Sequence, residues 1–431
     1  MFPRISTFLL GWTSRRSIRK TPRRITTALS HQRGSAGRSS FQFGRLGVAP
    51  RASGLDGSVS QTVIYDSIHD IPPHAWDAII GANALVRSHA YLAAIEASSI
   101  DGCRYFYPVI TNESGQIVAH ACVYTIVTDF AQLLPSGVGW LVRAARYLHK
   151  HFLQIRITEC ASPLTASHSI SILRGTDRKT LIGQIGEAVD SIARSQRSRL
   201  IVIRDFLTDE RVDFDILLNS GYNLVSNMPL ARIRVRWDSY DEYLSCMRSR
   251  YRKDVKRRLK RAKQSGQEVL ILNSFGAQAE LWAEQARTVY ENTKAFKREI
   301  LSRDYYENMD AKLGDKCQLV AAKRNQKIVA HGMVLHDDSN TNTTFFGRDR
   351  GPASQEWFHL VNEVIKIGIE RKSTYINLGL GSYEAKSVIG ADIEPLYVYS
   401  KSTLEPVNWL MRLIPRTMDY PIKEPKRVFR D

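Results

Sequence analysis

Thr374–Ser400 reads TYINLGLGSYEAKSVIGADIEPLYVYS. Its punctuation is that of strand, glycine turn, short helix and strand. Tyr375, Ile376 and Leu378 are β-formers in a run short enough for a buried strand. Gly379 and Gly381 interrupt it, and glycine lets the backbone turn at positive φ and lets another group come close. Ser382 is a candidate N-cap and Glu384 suits the first turn of a helix. Lys386 sits one turn on and can point back toward the glycines. Leu396–Tyr399 then resume a β pattern. A sheet end, an open glycine turn and one cation suit an acyl or phosphate oxyanion. The plainer alternative is a tight connection carrying a surface lysine.

Outward from this stretch, the 431 residues allow two or three domains, and 43% hydrophobic content is enough for a sizeable core. No apolar run reaches the ~18 residues of a membrane span. The five cysteines are scattered, none in a C-x-x-C, so they read as thiols of a reducing compartment, and no metal site is expected. The formal charge is +18, but eleven bases and no acid lie before residue 56, which leaves +7 for the rest. Overall charge is therefore weak support for nucleic-acid binding.

Residues 1–60 are rich in Arg, Ser, Thr and Gly and lack periodicity, so they are expected to be a disordered basic segment. An organellar transit peptide, a basic tail and a functionless extension all fit them. Folded structure is expected from Thr62. Short helices are expected over 75–80 and 89–97, and hairpin strands over 105–110 and 117–125. Further helices are expected over 139–152 and around Leu181–Ala193, and strands at 155–158 and 200–203. A second unit is expected over 229–420. It opens with a strand at 231–235 and one long basic helix, 241–265, whose stripe is Tyr243, Met247, Tyr251, Val255 and Leu259. That helix is either a solvated amphipathic face or a surface for an anionic substrate or tRNA. A helix at 281–290, strands at 319–322, 328–335 and 341–346, and a helix near 357–368 complete the pattern. Mixed hairpins and crossover helices indicate an α/β or α+β fold with mixed sheets.

The two hairpins share Ile-Val-Ala-His, at Ile117–His120 and Ile328–His331, in matching context. A duplication giving units 61–228 and 229–420 follows. His120 and His331 could each serve as a general base, although buried strand histidines are usually packed and hydrogen-bonded.

The element order over 319–399 resembles the GNAT acyltransferase fold. Two such units in tandem resemble the FemAB-like group, including its BioF2-like acetyltransferase domains. The resemblance is carried by Ser88–Leu92 with Glu96, by Glu159–Leu164, by Tyr251-Arg252-Lys253, and by Asn377–Gly390. It implies two tandem GNAT-like domains and transfer of an acyl or aminoacyl group to a small-molecule or peptide-like amine. It implies Lys386, Glu384 and Tyr383 as the catalytic group, and Tyr251, Arg252, Asn377, Gly379 and Gly381 as substrate-binding positions. Arg348-Asp349-Arg350-Gly351-Pro352-Ala353 resembles the R-x-x-G-x-A pyrophosphate loop of that fold. Arg348, Arg350, Gly351 and Ala353 would hold an acyl-CoA there, as co-substrate and not as a permanent cofactor. Pro352 removes one N–H from such a cradle. The expected function is thus N-acyl transfer from acyl-CoA in the cytoplasm, or in a mitochondrion or other organelle if residues 1–60 are a transit peptide. Aminoacyl transfer from tRNA to a peptidoglycan precursor is the alternative within enzymes. A non-catalytic module binding an anionic ligand is the alternative outside them.

Overall fold

A computed structural model describes residues 61–81, 84–100, 102–133, 137, 139–292, 299–351, 355–413 and 426–430. The expected basic segment 1–60 lies outside them, as do Pro352 and Ala353. The first unit runs β1 (Gln61–Tyr65), α1 (Pro73–Asp77), α2 (His89–Ala97), β2 (Arg104–Thr111), β3 (Ile117–His120) and β4 (Val123–Asp129). It continues with α3 (Gly139–Leu148), β5 (Gln154–Cys160), β6 (Ser171–Ile172), α4 (Arg178–Ser195), β7 (Leu200–Phe206) and β8 (Asn223–Ser226). The second runs β9 (Leu230–Arg234), α5 (Tyr240–Cys246), α6 (Ser249–Gln264), β10 (Gln267–Leu272), α7 (Ala279–Asn292), α8 (Arg303–Leu313) and β11 (Cys317–Arg324). After these come β12 (Lys327–His336), β13 (Asn340–Arg348), α9 (Glu356–Glu370), β14 (Tyr375–Asn377), α10 (Tyr383–Ser387), β15 (Asp392–Glu394), β16 (Tyr397–Ser402) and α11 (Glu405–Leu413).

Local chemistry sets the boundaries. Ser88, Asp177 and Ser302 accept backbone N–H bonds at the starts of α2, α4 and α8. At the β2–β3 turn, Asn112 Oδ1 accepts from the Gln116 N–H at 3.0 Å. Asn325 and Gln326, both at positive φ, make the β11–β12 turn. Strand β2 is buried on both faces: Tyr105, Tyr107 and Val109 pack toward α2, Phe106 and Ile110 toward α4. β11 divides the same way. Leu319 and Ala321 join the central cluster with Trp282 and Tyr305, whereas Val320 and Ala322 face α9. The units are therefore joined through one shared apolar layer, with α2 laid against α8.

The last strands are exchanged. The first sheet has the order β6-β3-β2-β4-β5-β7-β16-β8, and the second β10-β11-β12-β13-β14-β9-β15. β9, which follows directly on the first unit, pairs with β14 and β15 of the second sheet. β16, at the far end of the second unit, pairs with β7 and β8 of the first. The 396–399 pattern thus belongs to the other sheet from the strand it follows in sequence.

The long helix expected over 241–265 is two helices. Met247 and Arg248 are extended, with ψ of 142° in both. The reason lies at the far end of the chain. Met247 forms a β-bridge with Phe429, Arg248 N–H donates to Val428 O at 2.9 Å and Arg430 N–H to Cys246 O at 2.9 Å. Among the described residues no helix is long and apolar enough to cross a membrane.

Candidate active site

In each unit two parallel strands run side by side and then part, and ligands of such sheets bind beyond the carboxyl ends of the strands. In the first unit β5 and β7 pair from Ile157/Leu200 to Cys160/Ile203. The opening beyond is filled with charge. Glu159, 2% exposed, accepts from Tyr124 Oη at 2.7 Å and Arg204 Nε at 2.9 Å, and Arg204 also pairs with Asp205. Asp205 accepts in turn from Asn227 Nδ2 at 2.7 Å.

In the second unit β13 and β14 pair only over Asn340/Tyr375, Thr341/Ile376 and Asn342/Asn377. Beyond, β13 continues on β12 without β14, while the chain after Asn377 turns away through Gly379 and Gly381, at φ 71° and 73°. That turn aims the carbonyls of Gly379 and Leu380 inward. Lys386 Nζ donates to them at 3.0 and 2.9 Å. The lysine is 5% exposed, and among the described residues no carboxylate pairs with it. Burial pushes its ammonium down to about 7. An ammonium has three donors, so one N–H remains beyond the two carbonyls.

Across the end of the β13–β14 pairing lies a polar relay that the sequence did not reveal. Asn342 Nδ2 donates to Asp337 Oδ2 at 3.4 Å, and Asn377 Nδ2 donates to Asn342 Oδ1 at 2.6 Å. Because a carboxylate can only accept, this direction leaves Asn377 Oδ1 as the free end. It is buried and has no hydrogen-bond partner among the described residues. Burial lifts the Asp337 carboxyl to about 6, and its charge acts on Arg87 of the first unit. The relay thus lies where the two units face each other. Only the pairing of β13 with β14 brings 342 to 377.

The remaining expected positions scatter. Ser382 is not an N-cap: it adopts a left-handed conformation, φ 51°, and its side chain makes no capping bond. Tyr383 Oη donates to Pro229 O at 2.8 Å, which ties α10 to the crossover between sheets. Glu384 points to solvent, 81% exposed, with Lys426 at 4.0 Å, so it does not join Lys386. Tyr251 packs on the second core, and Arg252 donates to Ser245 O at 2.9 Å. Both lie on the first turn of α6, away from the contacts of Lys386.

Arg348 ends β13, and Arg350, 77% exposed, pairs with Glu291 at 2.8 Å. Gly351 follows at φ 153°. The loop does stand between a strand and a helix. The first turn of α9, however, already holds Glu356, paired with Arg324 at 2.6 Å. The matching helix α4 is capped by Asp177. A carboxylate at a helix N-terminus takes the place where an anionic ligand would sit.

The shared histidines are structural. His331 Nδ1 donates to Gln285 Oε1 and its Nε2 accepts from Tyr306 Oη, both at 2.9 Å. Burial lowers it to about 3. Its ring lies against Gly347, where any Cβ would collide with the imidazole. His120 stacks on Trp76 at 3.6 Å, donates to Trp76 O and is likewise lowered by burial to about 3. His331 meets Trp282 edge-on at 5.1 Å. The repeat is therefore a Trp–His pair in each unit, of which only the histidine half lies in the shared Ile-Val-Ala-His motif. Among the described residues no cluster of three or more metal-ligating side chains occurs.

Comparison with known proteins agrees with this architecture. A family profile named FemAB-like, described as peptidoglycan biosynthesis and recognition, matches residues 67–365. A Mycobacterium tuberculosis protein provisionally named 8-amino-7-oxononanoate synthase 2 is 22% identical over 329 residues, which cover 74% of this chain. The match spans 42% of that relative, less than half its length. Among solved structures, FemX superposes with TM-score 0.51 at 13% identity, over 79% of this chain and 98% of its own. The C-terminal domain of a protein provisionally named lysylphosphatidylglycerol synthetase, from Agrobacterium fabrum, gives 0.50 at 11%, over 80% and 96%. At these identities the two structures speak to the fold alone.

Proposed function

The chain belongs to the FemAB-like family, and from that premise we propose that it transfers an acyl or aminoacyl group to an amine at the opening between β13 and β14. The observation carrying this reading is Lys386. A buried cation with no carboxylate partner among the described residues is costly to keep, and such groups cluster at functional sites. When an amine attacks an ester or thioester, the carbonyl oxygen becomes an oxyanion. The spare N–H of Lys386 supplies a fixed positive donor there, and the two carbonyls that hold the lysine prevent it from swinging away. Asn377 Oδ1 suits an N–H of the attacking amine. The new bond is N–C, the bond broken is C–O or C–S, and the amine's proton leaves with the departing group.

For the donor, the arginine loop favours acyl-CoA. The carboxylates of Glu356 and Asp177 oppose it, because they weaken both helix ends as pyrophosphate cradles. Helix α6 favours aminoacyl-tRNA: within Ser249–Gln264 it carries nine Lys and Arg against one acid, Asp254. Two of the nine, Arg257 and Arg258, pair with that acid. We take the tRNA donor as the better reading. The test is binding of bulk aminoacyl-tRNA and of acetyl-CoA across a salt series, followed by transfer to an amine. A log–log salt slope steeper than about −3 for tRNA supports the reading. Micromolar acetyl-CoA binding with amine acylation and no tRNA binding overturns it.

A further inference from the structure

Helix α11 is inside out. Its buried side chain is polar: Asn408 Oδ1 accepts from Ser402 N–H at 3.0 Å and from Asn223 Nδ2 at 3.1 Å, and its Nδ2 donates to Gly221 O at 3.0 Å. Three of its apolar side chains face water: Trp409 is 60% and Leu410 57% exposed, beside Val407. Helix α3 likewise turns an apolar stripe outward. Only Val142 is buried, while Trp140 (61%), Leu141, Tyr147 and Leu148 (79%) line a stripe at helical spacing open to solvent.

The two helices leave the same end of the first sheet. Arg199 N–H donates to Arg156 O at 3.0 Å and Thr403 N–H donates to Arg199 O at 3.1 Å, which sets three chain segments side by side. α3 returns to the sheet just before Arg156, and α11 begins just after Thr403. Two strand spacings, roughly 10 Å, separate their anchors. The rim is basic: Arg143, Lys150, Arg197, Arg199 and Arg412 are exposed there. α3 has no acid, and Glu405 is the one acid of α11.

We propose that α3 and α11 together dock this protein on an anionic lipid bilayer, with both helices lying in the interface. Exposed Trp, Tyr and Leu on helices flanked by arginine suit the headgroup boundary, where an indole sits with one side apolar and the other wet. The arginines add attraction to anionic headgroups. A second copy of the chain fits less well, because a two-fold pairing of this face would set its arginines against their own images. The proposal is independent of the donor and of the transfer site.

The test is co-sedimentation of the full chain with vesicles of phosphatidylcholine alone or mixed equally with phosphatidylglycerol. The comparison is the quadruple variant Trp140→Ser, Leu148→Ser, Trp409→Ser and Leu410→Ser. These side chains are more than half exposed, so the variant should melt as the parent does. The parent is expected to bind the mixed vesicles and the variant to lose about tenfold or more in partitioning. Arg197→Gln with Arg199→Gln should reduce the preference for anionic over neutral vesicles and keeps the test valid if the quadruple variant folds poorly. No vesicle binding by the parent, or equal binding by parent and both variants, overturns the proposal. So does a parent that is dimeric without lipid and becomes monomeric in the quadruple variant.

Discussion

Lys386 holds Gly379 from within: its Nζ donates to the Gly379 carbonyl at 3.0 Å, and that same carbonyl accepts the Ala231 N–H at 3.2 Å. The lysine therefore fixes the glycine turn against β9. Replacing Lys386 by Met keeps most of the length and removes the charge. Turnover in single-turnover transfer is expected to fall by roughly 10²–10³-fold with little change in KM. A folded variant that transfers at the parent rate reduces the lysine to a structural staple.

The same residue sets a pH dependence. Burial brings it to about 7 from 10.5, so between those values the unfolded chain binds the additional proton. Stability should rise with pH over that window, and the Lys386→Met variant should lack this rise. Transfer that depends on the cation should decline as pH passes above about 7. Urea midpoints and rates measured from pH 6 to 10 for both proteins check the two trends.

Asn377→Ala removes the unpartnered acceptor at the end of the Asp337–Asn342 relay. The amine should bind roughly ten- to a hundredfold more weakly, with a smaller effect on the donor. Equal losses for donor and acceptor would argue that the relay only shapes the sheet.

Arg348→Ala with Arg350→Ala discriminates between donors. If acyl-CoA is the substrate, calorimetry should show a clear loss of CoA affinity with the melting temperature preserved, since the one described ion pair of Arg350 is exposed. On the aminoacyl-tRNA reading, Lys256→Gln with Lys260→Gln on α6 should instead lower the tRNA salt slope by about 1 to 2.

Strand exchange predicts joint unfolding. Tyr399 on β16 is fully buried in the first unit's core, and its Oη donates to Asp215 Oδ1 at 2.6 Å. Tyr399→Ala should cost about 3–5 kcal/mol. It should lower one shared calorimetric transition, because neither sheet keeps its strand order without the other unit's chain. Two separable transitions would contradict this. Deleting residues 1–60 should leave the midpoint unchanged.

The amphipathic stripes of α4 and α9, the hairpin turns at Asn112–Gly115 and Arg324–Gln326, and Lys386 one short turn past two glycines were all legible in the sequence. Each depends on neighbours a few residues away, and periodicity and turn chemistry report on those. Four features were set by tertiary structure. β16 has the same alternation whichever sheet it enters, so its partner is chosen by where the chain can cross. The break between α5 and α6 comes from Met247 meeting Phe429. The relay exists because two strands place Asn342 beside Asn377. Positions i and i+2 diverge on any helix, but it is the packing of α10 on β9 and β15 that buries Lys386 and leaves Glu384 in water. Local pattern determined which segments are strands and helices and where a cation meets a glycine turn. Only long-range packing decided which sheet each strand completes and which side chains are buried without partners, and hence where the candidate site lies.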